Sequence, residues 1–130
     1  MLEDKNDIRL LYQSIQELAS EMGQSQLNTK TVSLIFLEMD LKYSVFEEVQ
    51  ANFLKYIAHR NSNEIMYLDL VKIINSALPT DRELSSVIIN QIIVGFANNY
   101  YPILKEIASN IISEEGHTIY KHFNPKNLDD

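Results

Sequence analysis

Residues 84–104 read LSSVIINQIIVGFANNYYPIL, 21 positions without one Asp, Glu, Lys or Arg. Leu84, Ile88, Ile92 and Phe96 recur at helical spacing on one face, and Ile89, Ile93 and Tyr100 on another. A helix that is apolar over most of its circumference is buried on most sides. Either the rest of the chain wraps it as a central bundle helix, or part of it meets another protein, and both hold if different faces serve the two roles. Charge depletion together with Tyr and Phe is how the cores of interfaces differ from ordinary surface. Phe96, Tyr100 and Tyr101, beside the break at Pro102, are therefore the candidate partner-binding residues, expected to border a homodimer or partner interface.

Outward from this segment the apolar residues keep the helical period, with almost no strict alternation of the strand type. Ile8, Leu11, Tyr12, Ile15, Leu18, Ala19 and Met22 form one stripe ahead of Gly23, which predicts a first helix over residues 7–22. Asn28 is placed to cap a second helix carrying Val32, Ile35, Phe36 and Met39, with Leu27 and Val32 as a hydrophobic staple. Ser44 with Glu47 and Thr80 with Glu83 both fit the capping-box pattern. The first predicts the start of a third helix with Phe46, Val49, Phe53, Tyr56 and Ile57, the second the start of a fifth running from Asp81 toward Asn99. Between them, Met66, Leu70, Ile73, Ile74 and Ala77 carry a fourth helix up to Leu78 and Pro79. Pro102 starts or kinks a sixth, expected to end near Glu115 before Gly116.

The fold class expected is all-α, a compact bundle of five to six amphipathic helices. Residues 1–116 form one helical domain, and residues 117–130 a C-terminal tail with Ile119, Tyr120 and Phe123 as anchors. A chain of 130 residues, 45% apolar and 22% charged, is long enough for one domain with its own core.

The composition also narrows function. There is no cysteine, hence no disulfide, thiolate nucleophile or Cys-based zinc site. Net charge is −7 and the eleven basic residues are scattered, which disfavours nucleic acid. Met1 to Lys5 lacks the pattern of a signal peptide, and no run of about 18 apolar residues is present to span a membrane. The chain is read as cytoplasmic.

No constellation of catalytic or ligating residues emerges. His117 and His122 stand five apart, whereas two imidazoles on one helix face need a spacing of three or four. Glu47-Glu48 and Glu114-Glu115 are neighbours, about 100° apart around a helix, and so do not converge as acid and base. With only Gly23, Gly95 and Gly116, no glycine-rich phosphate loop is available. No catalytic residue, metal or cofactor is assigned.

Phe53, Leu54 and Ile57 precede Ile65, and Leu70, Ile73 and Ile74 follow it, so residues 53–74 resemble the EF-hand helix-loop-helix pattern with Ile65 as the loop's eighth residue. Residues 15–36 fit a similar frame with Leu27 in the equivalent place. The resemblance covers about half the chain and rests on apolar spacing. Its ligand positions hold Ala58, Arg60, Ser62 and Asp69 in one loop and Ser20, Met22, Gln24 and Thr31 in the other, a set too poor in carboxylates for calcium. What it implies is a calcium-independent, degenerate EF-hand-like module gripping a target helix.

The leading expectation is a non-enzymatic helical module for protein–protein interaction, whether adaptor, inhibitor or immunity-type antagonist, or regulatory subunit. It would occlude or bridge a partner surface, the partner being another protein or a second copy of the chain. The alternatives are the EF-hand-like module and a small enzyme or ligand-binding bundle whose pocket is built from dispersed polar residues.

Overall fold

The computed structural model describes residues 5–25 and 27–123, with side chains described as far as Glu114. Six helices follow in order: α1 (Lys5–Glu21), α2 (Val32–Glu38), α3 (Tyr43–Ile57), α4 (Tyr67–Ala77), α5 (Ser86–Asn99) and α6 (Lys105–Phe123). Single 3₁₀ turns at Ser62–Glu64 and Pro102–Leu104 lead into α4 and α6, and no strand occurs among the described residues.

The uncharged segment lies at the centre. On α5 Ile89, Ile92, Ile93, Val94, Gly95, Phe96 and Ala97 are all buried, and the helix packs against α2, α4 and α6. Helix α3 reaches it through aromatic rings. Phe53 and Phe46 lie 5.1 and 5.5 Å from Phe96 between ring centres, and Phe36 of α2 stands edge-on to Phe46 at 5.2 Å. Edge-on and offset ring pairs at such distances add to the gain from burying the rings. Pro102 sits at the first position of its 3₁₀ turn, where its missing N–H costs nothing, and reverses the chain into α6.

Close approach at α5 depends on Gly95. A Cβ there would meet the Cβ of Val32 at 2.6 Å and Cγ2 of Thr29 at 2.9 Å, so only glycine lets the segment before α2 lie against the helix. Gly23 ends α1 as the spacing predicts. Its φ is +91°, its N–H donates to the Ser20 carbonyl and the Gln24 N–H to that of Ala19, which is the paired Schellman arrangement.

Three helix starts differ from the sequence reading. The N-cap of α3 is Lys42, with no side-chain cap, and Ser44 lies inside the first turn. Helix α5 starts at Ser86 rather than Asp81, and its cap is Ser85, whose Oγ accepts from the Ile88 N–H at 3.3 Å. Thr80 falls in the preceding turn, because Pro79 opens a local bend closed by the Arg82 N–H on the Pro79 carbonyl. Asn28 does not cap α2. Thr31 holds that position, and the Val32 N–H is instead taken by Asn99 of α5 at 2.7 Å. At the other end, the α6 backbone passes through Gly116 to Phe123 instead of stopping near Glu115. One glycine inside a helix costs only about 1 kcal/mol relative to alanine, and no proline intervenes before Pro125. Residues 124–130 of the expected tail lie outside the described residues.

Gly95→Ala gains helix propensity yet is expected to lose about 1–3 kcal/mol net, because the added methyl displaces Val32 or Thr29. Urea midpoints measure this, and a more stable variant would show that the contact is not tight. The same titration reads the caps. Ser85→Ala is expected to cost about 1 kcal/mol, whereas Ser44→Ala and Thr80→Ala change stability by less than about 0.5 kcal/mol.

Candidate functional site

The three residues singled out in the sequence are brought together but differ in access. Phe96 is 0% exposed and forms the floor of the cluster. Tyr101 is stacked on it at 6.0 Å, half-buried, with its hydroxyl donating to the Gln50 carbonyl of α3 at 2.8 Å. Only Tyr100 presents substantial area, at 44%. Tyr43, which the sequence reading did not single out, is 70% exposed and stacks on Phe46, which also meets Tyr100 edge-on. Two phenols thus stand on the surface over a buried phenylalanine platform. Tyr43 shares a helix face with Phe46 and Gln50, but periodicity alone does not mark a first-turn residue as exposed.

A second unpartnered face is larger. Of the α1 stripe only Ala19 is buried and Tyr12 and Ile15 are half-buried, while Ile8, Leu11, Leu18 and Met22 keep between 42% and 64% of their surface in water. On the inner edge, burial first and the charge of the Glu38 carboxylate second hold the Tyr12 phenol above its ordinary pKa. Among the described residues none covers the outer edge. Its periodicity was legible, but not that the face stays open.

Apolar packing of Val32, Ile35 and Phe36 seats α2 on the core, and a set of amides ties the stretch before it to the end of α5. Asn98 donates to the Thr29 carbonyl at 2.6 Å and to Asn28 Oδ1 at 3.0 Å, and Asn99 donates to the Lys30 carbonyl at 2.8 Å while accepting from Val32. Gln24 Oε1 accepts from the N–H groups of Lys30 and Thr31 at 3.0 and 2.8 Å. All but the Asn98–Asn28 bond satisfy backbone that no helix satisfies, which is why uncharged amides serve here. Beneath them Thr29 is fully buried, and its Oγ1 has no hydrogen-bond partner.

The loop between α3 and α4 closes on Tyr56. Its hydroxyl donates to Asp69 Oδ2 at 2.7 Å and accepts from the Met66 N–H at 3.0 Å, and the Arg60 guanidinium lies 4.0 Å from the ring centre. Asp69 is the one carboxylate in the EF-hand frame of that loop, and it is engaged by the phenol. The upstream loop is bonded to the end of α5, and no backbone hydrogen bond joins residues 22–31 to residues 58–66 among the described residues. The paired-loop geometry that would carry the EF-hand alternative is therefore not formed.

Among the described residues four open clefts are candidates for a ligand, the larger two being about 520 Å³ beside Asp40, Glu48, Asp81 and Arg82 and about 540 Å³ beside Asn75, Thr80, Glu83 and Leu84. Of the smaller two, one of about 380 Å³ lies between Gln24, Ile35, Met39, Ile88 and Gln91, and one of about 330 Å³ between Tyr67, Asn90, Ile107 and Glu114. In the last, the Tyr67 hydroxyl donates to Asn90 Oδ1, so these polar groups already serve each other. Among the described residues no three His, Asp or Glu side chains converge as metal ligands do, and no helix is long and apolar enough to cross a membrane. Comparison with protein-family models, curated proteins and solved structures finds no match to the chain.

Tyr56 makes a pH signature. Burial above all, then the Asp69 hydrogen bond and charge, outweigh the Met66 N–H and Arg60 and raise its pKa above the ordinary 10.0; burial does the same for Tyr101. The folded chain therefore holds these protons where the unfolded chain releases them, and stability present below pH 10 falls as pH rises beyond it. In urea titrations from about pH 7 to 11, Tyr56→Phe is expected to lose on the order of 1 kcal/mol at neutral pH and to show a shallower alkaline decline. An unchanged decline would remove Tyr56 from this effect.

Proposed function

We propose that the protein is a non-enzymatic helical interaction module that binds another protein and occludes or bridges its surface. The observation that carries this reading is the outer edge of α1, four exposed apolar side chains on one face with no cover among the described residues. Isolated exposed leucines are ordinary, but contiguous apolar area on a soluble domain marks a contact surface. Spacing at positions 8, 11, 15, 18 and 22 alternates three and four residues, the pattern by which one helix offers a seam to another. Tyr100 and Tyr43 give a smaller second surface, with Phe96 and Tyr101 beneath fixing the Tyr100 ring.

Affinity capture with tagged wild type, a Leu11→Ser/Leu18→Ser variant and Tyr100→Asp tests the reading, with circular dichroism confirming that all three are folded. A stoichiometric partner retained by wild type is expected to fall at least about tenfold with the α1 variant, since each seam residue carries roughly 1 kcal/mol or more of contact. Identical capture by wild type and the α1 variant would contradict it.

A further inference from the structure

Around α1, at about 100° per residue, Leu18, Leu11 and Met22 fall within about 40° of one another and make the outermost apolar edge. Next to that edge, within about a further 100°, come Asp7, Glu21 and Glu17, all exposed. Lys5 lies on the other side, about 100° beyond Met22 and next to Tyr12, and Arg9 stands about 180° from Leu18. Beyond Leu18 the open seam is therefore flanked by acids alone, Asp7 and Glu21 nearest and Glu17 farther round. The neighbouring stretch continues the sign. Residues 10–41 contain Glu17, Glu21, Glu38 and Asp40 against Lys30 alone.

We infer that the occupant of the α1 seam is an amphipathic helix with Lys or Arg along one flank, its apolar side chains meeting Leu11, Leu18 and Met22 and its cations facing Asp7, Glu17 and Glu21. This rests on the reading of α1 as a docking face and names its partner's chemistry. The mode is helix-in-groove recognition, with anchors at three- and four-residue spacing and a charged rim that sets orientation and on-rate. A second copy of the chain fits less well. Laid antiparallel on this edge, two α1 helices bring Asp7 and Glu21 of one against the same residues of the other, and like charges across a seam repel. The acidic border likewise opposes an anionic bilayer, whose surface attracts basic helices.

The probe is a synthetic peptide of about 18 residues, helical, with Leu and Ala on one face and Lys on the other. Two controls accompany it, the same composition scrambled to abolish the apolar face, and the amphipathic peptide with Glu replacing Lys. Fluorescence anisotropy at about 50 mM and about 300 mM salt separates steering from contact. Binding of the basic amphipathic peptide is expected to exceed that of either control by at least about tenfold. The Leu11→Ser/Leu18→Ser variant is expected to lose about tenfold. Asp7→Asn/Glu17→Gln/Glu21→Gln, all at exposed positions that leave the fold untouched, is expected to lose about fivefold and to flatten the salt dependence. Equal binding of the scrambled or acidic peptide, or no change in the charge variant, overturns the inference. So does sedimentation showing a wild-type dimer that Leu18→Ser dissolves, although α1 would then still be a docking face.

Discussion

Between Leu84 and Leu104 no side chain carries a charge, and water offers such a segment no favourable surface to face. The chain answers by surrounding α5 with α2, α4 and α6 and by stacking the rings of α3 on Phe96. Filling that side of α5 requires backbone to approach it at Gly95, where Val32 and Thr29 leave no room for a methyl. Position 95 thus couples the central helix to the segment that carries α1 and α2.

Helix α2 is attached by apolar packing, through Val32, Ile35 and Phe36 in the core, and the stretch leading into it by amides. Asn98, Asn99 and Gln24 satisfy backbone groups at Thr29 to Val32, and a neutral hydrogen bond contributes only about 1 kcal/mol net. Helix α1 adds Ala19 and little else to the buried set. Two tiers of stability follow from the same contacts, a rigid centre around α5 and an outer helix held at its C-terminal end. Among the described residues no further apolar face is placed to cover its seam.

Composition carries much of what the sequence makes legible. Charge absence over 84–104 identifies the central helix because burial penalises charge whatever the topology. Periodicity locates all six helices, and Gly23 marks the end of α1 through its left-handed conformation. The caps at Ser44 and Thr80 fail for a physical reason. A hydroxyl three residues before a glutamate is compatible with a helix start but does not nucleate one, and the turn at Pro79 and the Lys42 N-cap decide the boundaries instead. The amides of Asn98 and Asn99 act on backbone nearly 70 positions away, and no local pattern encodes such a pair. The site shows the same division. Tyr100, Tyr101 and Phe96 are legible as an aromatic group, but which ring reaches water depends on where α3 lies. The α1 stripe is legible as a face, while its openness depends on the absence of a neighbour.

Amide hydrogen exchange followed by mass spectrometry tests this division most directly. Residues 92–97 of α5 are expected to exchange only through global unfolding, while α1 exchanges through local opening at least about a hundredfold faster. Protection of α1 equal to that of α5 would contradict it, because an outer helix with an uncovered seam cannot be as firmly held as the centre of the core.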